Sequence, residues 1–156
     1  MPKDEGKAII DRYFERFPGI RNYIHSTLGF VREHGFTRTL FGRKTHFEPN
    51  IRSSNPSIRG GAERAAVNAP IQGTSADLIK RAMARMDDAL AANGLDGVKM
   101  LLQVHDELVF EVPDGREEEA ATIIKQVMAN AAEPAMRLEV PLDVEVGWGA
   151  HWGEAH

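Results

Sequence analysis

The sequence contains no cysteine. That excludes a disulfide framework and any thiolate metal site, and it fits a reducing compartment. No apolar run approaches the roughly 20 residues that cross a bilayer, so no membrane-spanning helix is expected. The first residues, Met1-Pro2-Lys3-Asp4-Glu5-Gly6-Lys7, are charged and lead into no hydrophobic signal region. A secretion signal is therefore not expected, and a cytoplasmic location is. There is no internal repeat and no low-complexity tract. What remains is an ordinary globular composition. The 156 residues, 42% apolar and 27% charged, suffice for one domain or parts of two around a real core.

The net charge of −4 hides an asymmetry. Residues 1–90 hold 15 Lys/Arg against 10 Asp/Glu, a net of +5, and residues 91–156 hold 4 against 13, a net of −9. A basic half beside an acidic half suits a chain that grips a polyanion with one part and a divalent cation with the other. It is equally what surface charge does when it drifts along a chain.

The stretch Leu101-Leu102-Gln103-Val104-His105-Asp106-Glu107-Leu108-Val109-Phe110-Glu111-Val112 stands out. Two strand-forming runs flank a charged tripeptide, which predicts a hairpin over 98–112. Strict alternation puts Met100, Leu102 and Val104 on one face of the first strand, and Leu108, Phe110 and Val112 on one face of the second. Tight hairpin turns want Gly, Asn or Asp where φ is positive, and this one has no Gly. Two adjacent carboxylates at its tip repel each other. A divalent cation would relieve them, and so would plain solvation.

Upstream, Ile9, Ile10, Tyr13, Phe14 and Phe17 recur at helical spacing, which predicts a helix over 4–17 with these residues in the core. The aromatic residues share that apolar stripe, which argues against a base-stacking role. Pro18-Gly19 interrupts, and Ile20, Tyr23, Ile24, Leu28 and Val31 mark a second helix capped by Gly35. Residues 36–47 read as a small hairpin turning near Gly42. Arg38, Arg43 and Lys44 make it basic, for phosphate contact or as a guard on an exposed edge. His46 has no partner at ligand spacing and reads as a surface residue. Pro49 to Gly61 reads as a loop and as the boundary between two parts.

Helix signals return at Ala62. Arg64, Asn68 and Gln72 are spaced i, i+4, i+8, so an unbroken helix aligns one guanidinium and two carboxamides on one face. Such groups suit minor-groove acceptors, or simply water. Pro70 and Gly73 predict a kink that displaces the third member. Leu78, Ile79, Ala82, Met83, Met86 and Leu90 then form an apolar stripe closed by Asn93-Gly94. After the hairpin, Asp114 and Glu117 stand in capping-box spacing, which predicts a helix starting there. Its buried face is Ile123, Ile124, Val127, Met128 and Ala131. Val140, Leu142, Val144 and Val146 alternate with polar neighbours, which predicts a final strand. Helix, strand, strand, helix, strand indicates an α+β layer with helices packed on one face of an antiparallel sheet.

These residues resemble a known family. Gln103-Val104-His105-Asp106-Glu107-Leu108-Val109-Phe110-Glu111 looks like motif C of the bacterial DNA polymerase I family, the family A polymerases. The stretch from Glu63 to Asp77 is also similar to that family. So are Thr39-Leu40-Phe41-Gly42-Arg43-Lys44, Tyr13 to Gly19, and Val140 to Gly147. Five matching stretches in order cover essentially the whole chain.

The resemblance implies an α+β partial polymerase palm preceded by helices and a small hairpin from the fingers. Residues 1–60 would be the C-terminal part of the fingers, and residues 61–156 the C-terminal part of the palm. Asp106 would be a carboxylate ligand for the catalytic Mg²⁺ ions. Glu107 would support it, and His105 would approach the primer end. Arg64, Asn68 and Gln72 would contact template and primer, partly from the minor-groove side, and Arg43 and Lys44 would also touch DNA. The implied reaction is attack of a primer 3′-hydroxyl on the α-phosphorus of a deoxynucleoside triphosphate. Two Mg²⁺ ions about 3.5–4 Å apart would stabilise the attacking and leaving oxygens. The implied location is bacterial, cytoplasmic and nucleoid-associated.

The departure lies at the start. The family's first metal-binding aspartate and its nucleotide-binding fingers helix have no counterpart in this sequence. Asp4 and Asp11 fall in or before an amphipathic helix and cannot substitute. The chain by itself is therefore expected to be catalytically incomplete, with a missing N-terminal polymerase portion supplied by the same gene or by a separate chain. Alternatives are a DNA-binding or assembly module and one half of a split polymerase. Self-association through exposed palm surfaces is also expected.

Overall fold

The structure is a computed structural model that describes residues 3–155. The chain divides into two compact units that meet between Gly73 and Thr74.

In the first unit, helix α1 (Lys3–Arg16) is followed after one residue by α2 (Pro18–His34), with Pro18 at the first helical position. Proline fits there because the first-turn N–H groups have no intrahelical partner. Gly35 ends α2 at φ 77°, and its N–H donates to the Val31 carbonyl at 2.8 Å. The positive φ favours glycine there, and a Cβ would also meet the end of the Glu48 side chain, whose Cδ lies 2.7 Å away and would have to swing aside. The chain then forms β1 (Phe36–Arg38) and β2 (Lys44–His46), paired antiparallel with Phe36 opposite His46, and Gly42 in the turn takes φ 88°. Val31, Ile51, Ala62 and Ala66 make the small core, with Phe47 against it.

Two expectations fail in this unit. The apolar stripe of α1 is not core: Ile10 and Tyr13 are 55% and 48% exposed, and Ile9 and Phe17 are similar. Periodicity reports that a helix has an apolar face, not that the described residues supply something to cover it. Nor is Pro49–Gly61 a loop throughout. It holds a short 3₁₀ turn (Asn50–Arg52), and α3 (Pro56–Ala92) already starts at Pro56. The Asn55 carboxamide oxygen accepts the Ser57 N–H at 2.9 Å, and Pro56 follows it as the first helical residue. Asn-Pro is an N-terminal signal that the surrounding Ser and Gly residues obscure.

Helix α3 runs unbroken through Pro70 and Gly73. Pro70 and Gly73 do not end the helix, so Arg64, Asn68 and Gln72 all belong to it.

The second unit holds the rest of α3, then β3 (Lys99–Val104), β4 (Glu107–Glu111) and α4 (Glu117–Ala129). Its core is Met86 and Leu90 of α3, Leu95, Val98, and Ala120 and Ile124 of α4, with Leu108, Phe110 and Val112 packed against it. Fully burying Met86, Leu90, Leu95, Val98 or Ile124 contributes roughly 1.5–3 kcal/mol each, which anchors the hairpin and both helices. Glu117 does not complete a capping box with Asp114. Arg116 is the N-cap and makes no side-chain cap bond, while Glu117 Oε1 accepts the Gly115 N–H at 3.1 Å.

Strict alternation fails in β3. Met100 pairs with Phe110 but Leu102 pairs with Val109, so a bulge at Leu101 shifts the register by one. After the bulge it is Gln103, opposite Leu108, that shares the core face, while Leu102 and Val104 turn to the other side. Leu101 and Leu102 are consequently exposed.

The last expected strand does not form. Leu142 and Val144 are half-buried between exposed neighbours, so the alternation is real, but the segment has no strand partner among the described residues and Val140 is 71% exposed. A strand needs backbone pairing that an apolar pattern cannot provide alone. The α+β class stands, with four helices and two two-stranded antiparallel sheets among the described residues. No described helix is long and apolar enough to cross a membrane.

Candidate functional site

The hairpin tip is a two-residue turn. Val104 pairs with Glu107, leaving His105 and Asp106 as its central residues. His105 sits at φ 53°, the single non-glycine residue with positive φ among those described. Positive φ at the first turn residue is where such hairpins usually place glycine, because a Cβ there crowds the following carbonyl. The Gln103 carboxamide braces the turn by donating from Nε2 to the His105 carbonyl at 2.9 Å. His105, Asp106 and Glu107 are all exposed. Leu108 faces the core, so Glu107 projects from the opposite side of the sheet.

The tip therefore offers two adjacent carboxylates and an imidazole to solvent, on a hairpin whose other end is locked into a core. Among the described residues no three His, Asp or Glu side chains converge as a closed metal cage. The donor set suits a hard cation completed by ligands from elsewhere. Mg²⁺ commonly takes one or two protein carboxylates and fills its octahedron with water and substrate phosphate oxygens.

Arg64, Asn68 and Gln72 form the second candidate surface, in the first unit. All three are exposed on α3, and none makes a side-chain hydrogen bond to another described residue. The small and apolar neighbours Ala62 and Ala66 turn inward and fix which way the row faces. Nearby, the Tyr23 hydroxyl donates to the Val67 carbonyl at 2.8 Å. Burial pushes the Tyr23 hydroxyl pKa up, with a smaller opposing effect from its bond to Thr27, so it remains a protonated donor at neutral pH.

The basic hairpin is less free than its charge suggests. Arg43 Nη2 donates to the Gly73 carbonyl at 2.7 Å. Lys44 Nζ lies 4.6 Å from the Phe36 ring centroid, and the Arg38 guanidinium lies 5.0 Å from the same ring. His46 is exposed and 5.7 Å from that ring. Sequence reasoning missed Tyr23 as a donor to the α3 backbone and Gly73 as an acceptor for Arg43. Tyr23 lies within an apolar stripe, and a glycine at position 73 reads locally as a helix breaker. No local signal marks either one, because both act across long sequence separations.

The fold has known relatives. It matches a solved polymerase domain, the POL domain of Pol1 from M. smegmatis in complex with DNA primer-template and dNTP. The TM-score is 0.91 at 43% identity, over 99% of this chain and 26% of that one. The sequence is 52% identical to DNA polymerase I of Rhizobium leguminosarum over the whole chain, which corresponds to 15% of that protein. It is 48% identical to the thermostable DNA polymerase I of Thermus filiformis over 97% of the chain and 17% of that protein. The description "DNA polymerase family A" matches residues 1–154. The chain belongs to DNA polymerase family A and spans about a sixth of the length of the relatives it matches.

Proposed function

We propose that these residues are a portion of a DNA-templated DNA polymerase, with residues 1–60 from the fingers and 61–156 from the palm. The observation that carries the reading is the turn at His105-Asp106. Backbone strain, an imidazole and two carboxylates coincide at one exposed point on an anchored hairpin. Strain of that kind persists where the surrounding structure over-determines it and the site uses it.

In this reading Asp106 is the metal ligand, with Glu107 beside it, and His105 faces the primer end. Two Mg²⁺ ions, when bound with substrate, stabilise the attacking and leaving oxygens of an in-line displacement at phosphorus. The chain's own work is positional. The core of Met86, Leu90 and Phe110 holds the hairpin so that the Asp106 carboxylate is presented at a fixed point. Arg64, Asn68 and Gln72 donate toward minor-groove acceptors, which are nearly the same for A·T and T·A, so they sense the shape of a correct pair rather than its sequence. Arg43, in the turn between β1 and β2, and Lys44 of β2 add positive charge to the first unit. The partners are primer-template DNA and deoxynucleoside triphosphates, in keeping with the complex solved for the M. smegmatis relative.

One carboxylate turn is only part of a two-metal site. The chain by itself is expected not to extend a primer, and polypeptide beyond these residues completes the site. The test is primer extension with Mg²⁺ and four deoxynucleoside triphosphates, by this chain alone and by a polymerase domain that contains it. Synthesis only by the larger domain, abolished by Asp106→Ala, supports the reading. Synthesis by the isolated chain refutes the incompleteness, and full activity of Asp106→Ala refutes the metal assignment.

A further inference from the structure

Pro70 lies inside α3. It has no N–H, so the helix loses one hydrogen bond there, and its ring presses on the preceding turn. The carbonyl it leaves without a helix donor is that of Ala66, four residues back. Two donors from outside the helix bond other carbonyls on either side of Pro70. Three residues before Pro70, the Val67 carbonyl accepts the Tyr23 hydroxyl at 2.8 Å. Three residues after it, the Gly73 carbonyl accepts Arg43 Nη2 at 2.7 Å. Asn68 directly follows Val67, and Gln72 directly precedes Gly73.

The Arg43 end is held in place. The Arg43 N–H donates to Thr39 Oγ1 at 3.1 Å, and the Thr39 N–H donates to the Arg43 carbonyl at 2.9 Å, which closes the turn between them. Thr39 is buried and its Cγ2 lies 2.6 Å from where a Cβ on Gly73 would stand. The turn of the basic hairpin thus touches α3 twice at Gly73, once by packing and once by charge-assisted hydrogen bonding.

We propose that Arg43 and Tyr23 are positioning residues that grip α3 on either side of Pro70 and thereby aim Gln72 and Asn68 at DNA. This rests on the reading of Asn68 and Gln72 as DNA contacts. It separates Arg43 from the role its charge suggests. A phosphate ligand needs the charge; the grip needs a donor that reaches one carbonyl.

The test uses a polymerase domain that contains these residues. Arg43→Met keeps the stem and removes the donor, and Arg43→Lys keeps the charge but not the reach of the guanidinium fork. Extension from matched and from mismatched primer ends is compared, with the salt dependence of DNA binding. Both variants are expected to shift the matched-to-mismatched ratio about as far as Gln72→Ala, on the order of tenfold. In a Gln72→Ala background they are expected to add less than about twofold, because coupled residues are not additive. The slope of log affinity against log salt is expected to stay as it was. Effects that multiply, rescue by lysine, and a slope reduced by about one in Arg43→Met would make Arg43 a phosphate ligand and overturn the proposal. Tyr23→Phe is expected to be non-additive with Asn68→Ala in the same way.

Should Gln72→Ala leave the ratio unchanged, the DNA reading of the row has failed, and the grip is read without DNA. Amide exchange at residues 72–77 is expected to rise on the order of tenfold in Arg43→Met, with the amides of α4 unaffected. Exchange unchanged at 72–77 would overturn the grip itself.

Discussion

Gly73 and Thr39 are fitted to each other: a Cβ on Gly73 would stand 2.6 Å from Thr39 Cγ2 and 3.6 Å from Arg43 Nη2. The first distance is a clash and the second an ordinary contact. Gly73→Ala is therefore expected to destabilise the protein, by about 1–3 kcal/mol as overpacking usually does, although alanine is the better helix former. Thr39→Ser removes the offending methyl and keeps the hydroxyl oxygen that accepts the Arg43 N–H. The double variant should recover most of the loss in a thermal or urea melt. No recovery would show that Thr39 is not what excludes a side chain at Gly73.

His105 gives a second separation of stability from activity. Its φ of 53° costs a side chain roughly 1–2 kcal/mol that glycine does not incur. His105→Gly should leave the fold as stable as before or more so, within the flexibility glycine adds to the unfolded chain. Primer extension by a polymerase domain carrying the change should nevertheless fall. Equal activity with raised stability would mean that the imidazole has no part in the reaction.

Glu117 supplies a pH dependence with a defined sign. Its carboxylate accepts its own N–H and then that of Gly115, and these bonds hold its pKa below the usual value against a small opposing effect of desolvation. A folded pKa lower than the unfolded one contributes stability that is present above the unfolded value and lost as pH falls through the folded value. An NMR titration should place the Glu117 midpoint below the ordinary value of a free glutamate. Glu117→Gln should flatten the stability profile in the acid range only, and a midpoint at or above that value would refute the bonding.

The apolar face of α1 should make the isolated chain associate. Ile9, Ile10, Tyr13 and Phe17 are exposed together, and apolar groups grouped on one surface drive association. Sedimentation should show concentration-dependent association that Ile10→Glu with Tyr13→Glu suppresses. Association unchanged in that variant would move the contact elsewhere, the exposed Leu101 and Leu102 edge of β3 being the next place to alter.

The segment 140–146 should exchange its amides quickly in the isolated chain, since no ladder protects them. Amides of Leu108 and Phe110 should exchange slowly by comparison. Protection of 140–146 equal to that of β4 would mean that the segment has found a partner strand.

Much of this was legible in local sequence. Gly35 closing α2, Gly42 turning the first hairpin, the apolar stripe from Leu78 to Leu90 and the charged tip at 105–107 each announce themselves through spacing or turn chemistry. The i, i+4, i+8 row of Arg64, Asn68 and Gln72 did as well. What escaped depends on partners distant in the chain. Pro70 reads locally as a break, and α3 continues through it while Tyr23 and Arg43 donate to flanking carbonyls. The bulge at Leu101 is invisible to an alternating pattern, because register is decided by the opposite strand. The stripe of α1 and the alternation of 140–146 show which faces are apolar. Whether they are covered depends on tertiary packing: hydrophobic burial and strand pairing both need a second surface, and a sequence pattern specifies only the first.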